Sequence, residues 1–170
     1  MTKYKLTKTK KEWFGKTLYQ IEAISNFGSI VKGELGGYIE KEENLSQDDN
    51  AWVSGNAWVS GDARVSGNAR VYDNAWVYDN AWVSGNARVS GNAWVSGDAR
   101  VSGNAWVSGN ARVSGKLQLK AGFFFGIRYQ EEEIKMRTKW LINKWKMKDE
   151  LLKKLMHKAK LKHKQIKNLN

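Results

Sequence analysis

The sequence predicts a mainly β protein built as a solenoid, and three observations carry that expectation. Residues 50–115 repeat one six-residue phrase eleven times, from NAWVSG at the start to NARVSG at the end. Only two positions never vary, the alanines Ala51 to Ala111 and the valines Val53 to Val113, and they lie two residues apart. Side chains at that spacing share one face of a strand, so the Trp or Arg between them points the other way. The intervening Ser-Gly-Asn and Tyr-Asp-Asn steps are rich in residues that accept positive φ and turn corners. One such unit cannot bury its own Ala and Val, whereas stacked copies can.

Written from the valine, the phrase V-[SY]-[GD]-[ND]-A-[WR] resembles the hexapeptide repeat of left-handed parallel β-helices. In that family three hexads make a triangular coil of about 18 residues, with the aliphatic and small positions filling the interior. Lys116–Ala121 keeps the register, placing Leu117 at the alanine position and Leu119 at the valine position. The resemblance therefore implies a β-helix over residues 50–121, about four coils long, with Leu117 and Leu119 plugging its end. It implies no activity, because a fold does not fix a function.

Residues 1–49 are expected to form a small β cap, since a solenoid end exposes an unpaired strand edge. Tyr4–Leu6 and Thr17–Ala23 alternate apolar and polar side chains, with Phe14, Gly15 and Lys16 as a turn between them. Gly33, Gly36 and Gly37 then lead into Tyr38, Ile39 and Leu45, which read as a degenerate first coil. The stretch GELGGYIEKEENLSQ ahead of the array resembles proteins of phage and prophage genomes, across about residues 17–115. That resemblance implies a viral or mobile-element origin and a place in the cytoplasm of a bacterial host cell.

Past the array, Phe123, Phe124, Phe125 and Ile127 suggest an aromatic lid over residues 122–129. Residues 130–170 read as a basic amphipathic α-helix and tail. No Pro or Gly interrupts 130–166, Glu131, Glu132 and Glu133 open it, and lysines crowd its end, as the helix dipole favours. Ile134, Leu141, Trp145, Leu152, Met156 and Ala159 recur at helical spacing, widened by Trp140, Met147, Leu151 and Leu155. Leu141, Trp145, Leu152 and Met156 are the expected packing contacts, against the solenoid, a second copy or another protein. Arg137, Lys144, Lys148, Lys153, Lys154, Lys158, Lys160, Lys162 and Lys164 are the expected cationic contacts for phosphates or an acidic protein surface.

Net charge agrees with that division. The whole chain carries +12, yet residues 1–49 hold 8 basic and 8 acidic side chains, and residues 131–170 hold 13 basic against 5 acidic. There is no Cys, so disulfides and thiolate metal sites are excluded. The opening MTKYKLTKTKKEWFG has no signal-peptide core, and no stretch approaches the roughly 20 apolar residues of a membrane span, so a soluble intracellular protein is expected.

On the resemblance's geometry, every third hexad shares a face. One face then carries Trp52, Arg70, Arg88 and Trp106; the second Trp58, Trp76, Trp94 and Arg112; the third Arg64, Trp82 and Arg100. Stacked one strand spacing apart, these indoles and guanidiniums either stiffen the solenoid or form a binding surface for a macromolecule. So many outward Trp side chains predict burial by a partner or by self-association.

Catalysis is not expected. The left-handed β-helix enzymes it resembles are trimeric acyltransferases with a catalytic His, whereas the only histidines here, His157 and His163, sit in the Lys-rich tail. Asp62, Asp73, Asp79 and Asp98 occupy corners, where turn formation accounts for them, and no metal cluster, cofactor motif or phosphate-binding Gly loop is present in the sequence. The favoured function is a non-enzymatic phage-type binding protein that occludes a nucleic acid or a host nucleoprotein, such as an RNA-guided nuclease, in the manner of an anti-CRISPR protein. The alternatives are a hexapeptide-repeat acyltransferase using His157 at a subunit interface, and a scaffold that self-associates through its helix or Trp faces. An ice-binding role is a minor reading, weakened by large, charged outward residues.

Overall fold

The computed structural model describes residues 2–128, and these form a β-solenoid of about five turns. Most hexads contribute a two-residue strand, a Trp or Arg followed by its Val, and Arg100–Val107 runs unbroken through two; each pairs in parallel at a spacing of 18 residues, as Trp58 does with Trp76 and Trp76 with Trp94. The ladder is continuous: the Trp58 amide donates to the Ala75 carbonyl at 2.9 Å and the Ser60 amide to the Val77 carbonyl at 3.0 Å. The array alanines and valines are at most 1 % exposed, because side chains two apart face the same interior and each turn covers the one before. Leu117 and Leu119 are also buried, at 0 % and 3 %.

The turn count exceeds the four expected from the hexads alone. Tyr38 pairs with Trp58 and Leu45 with Val65, so the chain completes a turn of 20 residues before the regular register begins. Asn44 closes that irregular turn. It is fully buried, its Nδ2 donates to the carbonyls of Gly61 and Ala63 at 3.0 and 2.8 Å, and its Oδ1 accepts the Lys41 amide at 3.0 Å. One side chain thus supplies the hydrogen bonds a strand would have made.

Corners stack as tightly as strands. Gly85, at φ 64°, sits so close to the next corner that a Cβ would lie 2.9 Å from the Gly103 nitrogen. Where Tyr-Asp replaces Ser-Gly, Asp73 and Asp79 take the same conformation at φ 62° and 59°. Their Oδ2 atoms accept the amides of Gly91 and Gly97 one turn on, at 3.0 and 3.2 Å, which offsets the strain. Asn50, Asn68, Asn86 and Asn104 link side chain to side chain up a second corner at 3.0–3.2 Å.

The N-terminal hairpin pairs β1 (Tyr4–Trp13) with β2 (Lys16–Ala23), antiparallel, and β2 pairs with β3 (Leu35–Ile39). β3 in turn pairs in parallel with Trp58–Val59, so antiparallel cap and parallel solenoid share one sheet. The first strand runs beyond the expected Tyr4–Leu6, because after an irregularity between Leu6 and Lys10 the polar Lys10, Lys11 and Glu12 are held by pairing with Tyr19, Leu18 and Thr17 rather than by burial. Lys3 anchors the chain end: its Nζ donates to the carbonyls of Asp48, Asp49 and Ala51 at 2.9–3.2 Å, at 4 % exposure. Burial pushes its ammonium down to about 8, against the pull of Asp49 and Asp48. The Tyr4 hydroxyl donates to the carbonyls of Leu45 and Glu42 at 2.7 and 2.9 Å, and burial, then Glu42 and Glu43, raises its pKa.

The expected aromatic lid is corrected. Gln118–Phe124 is a strand paired in parallel with Arg100–Val107, so Phe123 stands over Trp106 and Phe124 over Val107. Open amides at the solenoid's end draw the chain into the wall, and strand alternation then leaves Phe123 and Phe125 on the outside, 65 % and 63 % exposed. The predicted basic helix over residues 130–170 lies outside the described residues, as do its packing side chains, its cationic side chains and both histidines.

Candidate interaction surface

Three outward columns follow the 18-residue register. The first runs Tyr38, Trp58, Trp76, Trp94, Arg112; the second Trp52, Arg70, Arg88, Trp106, Phe123; the third Arg64, Trp82, Arg100, Gln118. In the first column Trp58, Trp76 and Trp94 stack at 5.0 and 4.9 Å with ring planes within 4°. Cations close both ends: Arg112 lies 4.3 Å over Trp94 and Lys11 lies 4.0 Å over Tyr38. The parallel register forces these stacks, since one turn lifts each ring by one strand spacing.

The Trp side chains are far less exposed than the sequence suggested. Trp52 is 2 % exposed, with its indole edge-on to Tyr4 and Phe27, at centroid distances of 6.4 and 5.4 Å. Trp58, Trp76, Trp94 and Trp106 are half-buried, and among the six array indoles only Trp82, at 42 %, is exposed. The physical reason is that the hairpin and the stacks cover indole surface that the hexad register alone leaves open. Corner serines satisfy the more open rings: Trp82 Nε1 donates to Ser66 Oγ at 3.3 Å and Trp106 Nε1 to Ser90 Oγ at 3.2 Å.

Arginine dominates the remaining outward surface. Arg64, Arg88, Arg100 and Arg112 are exposed and Arg70 is half-buried. Arg88 lies 5.6 Å over Trp106 and Arg100 lies 5.6 Å over Trp82, so aromatic rings hold the guanidiniums in place. The four ion pairs among the described residues all use lysines, so no array arginine is matched to a carboxylate there. Arg70 and Arg88 are direct neighbours across one parallel pair, beside a polar cleft of about 660 Å³ that Ser29, Ser54, Tyr72 and Asp73 also line. Arg70 Nη2 donates to Ser29 Oγ at 2.6 Å, which fixes its direction.

A second cavity, of about 320 Å³, is aromatic and was not anticipated from the sequence. Trp13 and Phe14, at the tip of the hairpin, face Trp58, Trp76, Trp94 and Tyr78, with Lys16 and Asp79 at the rim. Trp13 sits 4.9 Å from Trp58 and 5.2 Å from Trp76, each at 77°. A readable signal existed: Lys11 and Trp13 alternate on one strand face, and Phe14 precedes Gly15 in a two-residue turn where Asn is the usual choice. Among the described residues no group of His, Cys, Asp and Glu could hold a metal ion, and no helix is long and apolar enough to cross a membrane.

These features define a β-solenoid repeat protein with a continuous aliphatic core and an indole and guanidinium exterior. Its array is similar to the YdcK beta solenoid repeat family, whose model matches residues 63–79, 81–97 and 93–109. No curated protein matches the chain.

Proposed function

We propose that the chain is a non-enzymatic, left-handed hexapeptide-repeat β-helix protein of phage or prophage type that occludes a nucleic acid or nucleoprotein in a bacterial host cell. The favoured target is an RNA-guided nuclease, which makes the protein anti-CRISPR-like. One observation carries the reading: Arg70 and Arg88 stand side by side at a polar cleft with no carboxylate paired to either among the described residues. Two adjacent guanidiniums repel unless an anion lies between them, and phosphates are the anions that planar, bidentate Arg recognises best. Arg100 and Arg112, each over an indole, extend the same chemistry to the other faces.

The test is binding of labelled RNA, DNA and a purified guide-loaded nuclease to the intact chain as salt is varied. Replacing Arg70 and Arg88 by Ser should weaken binding about tenfold or more and reduce the salt dependence by about one unit per arginine removed. Affinity unchanged by that change, and by Gln at Lys158, Lys160, Lys162 and Lys164, overturns the reading. Self-association is a second reading, favoured by the exposed Phe123 and Phe125, which stack 6.4 Å apart; light scattering tests it, and a strict monomer at high concentration removes it.

A further inference from the structure

The geometry points to a second binding site: the hairpin-tip cavity receives an aromatic side chain of a partner protein. Trp76 has Trp58 on one face and Trp94 on the other, so the 77° contacts of Trp13 place the face of Trp13 across the edges of Trp58 and Trp76. Indole edges carry partial positive charge and faces partial negative charge, which makes that crossing favourable. Trp94, one rung further at 4.9 Å, lines the same cavity, and among the described residues no aromatic ring crosses its edge. A ring parallel to Trp13 and beside it would repeat the same contact on that third rung.

Charge excludes the obvious competitor. The Lys16 ammonium is paired with the Glu40 carboxylate at 3.0 Å, and Asp79 Oδ2 accepts the Gly97 amide at 3.2 Å. Burial raises the Glu40 carboxyl, but the Gly61 amide and Lys16 outweigh it and hold its pKa below the usual value, so that pair persists at neutral pH. Both rim charges are engaged, so the cavity favours an uncharged ring over a phosphate-bearing one.

Phe14 supplies the independent observation. It is 88 % exposed and sits at φ 47°, a conformation in which Asn or Gly would be less strained. Its packing within the described fold is an edge contact with Trp13, at 5.0 Å and 85°. A bulky apolar residue held in a strained turn and turned to solvent marks a surface that another molecule covers. Trp13 and Phe14 are themselves walls of the cavity and no other described residue supplies a ring to fill it, so the filling ring is assigned to another protein.

The experiment follows the indole N–H signals of the intact, isotopically labelled chain by NMR, with N-acetyl-phenylalaninamide as probe. The cyclohexylalanine analogue and adenosine monophosphate serve as controls. Saturable shifts at Trp13 and Trp94 are expected, with the cyclohexyl analogue about fivefold weaker or more. Phe14→Asn should weaken the probe by a similar factor while the melting temperature stays level or rises, which separates lost binding from lost folding. The inference is overturned by absence of saturable shifts, by tighter binding of adenosine monophosphate at the same signals, or by unchanged affinity in Phe14→Asn. A dimer of the intact chain that Phe14→Asn dissociates would also overturn it, since the occupant would then be a second copy.

Discussion

Trp52 and Trp82 occupy the same position of the same repeat, yet one is 2 % and the other 42 % exposed. Tyr4 and Phe27 cover the first, whereas the second has Arg100 at 5.6 Å and a hydrogen bond to Ser66. The difference shows that the repeat sets the direction of a side chain and the cap sets its burial. Trp52 even leaves its Nε1 without a partner. A buried unpaired donor costs about 1–3 kcal/mol, but covering some 200 Å² of indole stabilises by about 5 kcal/mol, so burial wins.

Paired truncations separate the two sites energetically. Trp52→Ala should destabilise by about 3–5 kcal/mol, because a fixed cap cannot collapse into the space, while Trp82→Ala should cost about 1 kcal/mol or less. Urea unfolding of both variants measures the gap. Equal costs would mean that the hairpin does not hold Trp52 in solution.

What the sequence revealed follows the same division. The Ala and Val positions made the solenoid, its interior and the three outward columns legible, because strand alternation and a strict period depend on local sequence alone. The burial of Trp52 was not legible, since Tyr4 reaches it from 48 residues away. The additional turn was legible in outline, because Tyr38, Ile39 and Leu45 read as a degenerate first coil, but the role of Asn44 in closing it was not, since its carbonyl partners Gly61 and Ala63 lie a turn away. The aromatic cavity escaped for the same reason: Trp13 meets Trp58 and Trp76 only after the hairpin folds onto the solenoid. The phenylalanines at 123–125 were misplaced because hydrophobicity suggested a lid where open strand edges demanded pairing.

A smaller effect tests the cap through pH. Burial holds Lys3 near 8 in the folded chain against an ordinary value of 10.5, so between those values the unfolded chain binds more protons. Stability therefore rises with pH across about 8 to 10 and is lost as pH falls through about 8. Tyr4 acts in the opposite direction only above its ordinary 10.0, since its pKa is raised, which leaves the window clear. The melting temperature should climb from pH 8 to 10, and Lys3→Met should flatten that slope. A flat profile in the unaltered chain would show that the ammonium is not buried as described.

The smallest expected change has the opposite sign. Phe14 and Gly15 form the two-residue turn between β1 and β2 at φ 47° and 74°, and an Asn at the first position relieves strain that Phe cannot avoid. Little packing is lost, because Phe14 is 88 % exposed, so Phe14→Asn should stabilise by up to about 1 kcal/mol in calorimetry or urea unfolding. If the variant is instead destabilised, Phe14 packs on the hairpin in solution and belongs with Trp52 as cap, not with Trp82 as open surface. A gain in stability would place the strain where the exposed ring is, which is what a residue kept for contact with another molecule requires.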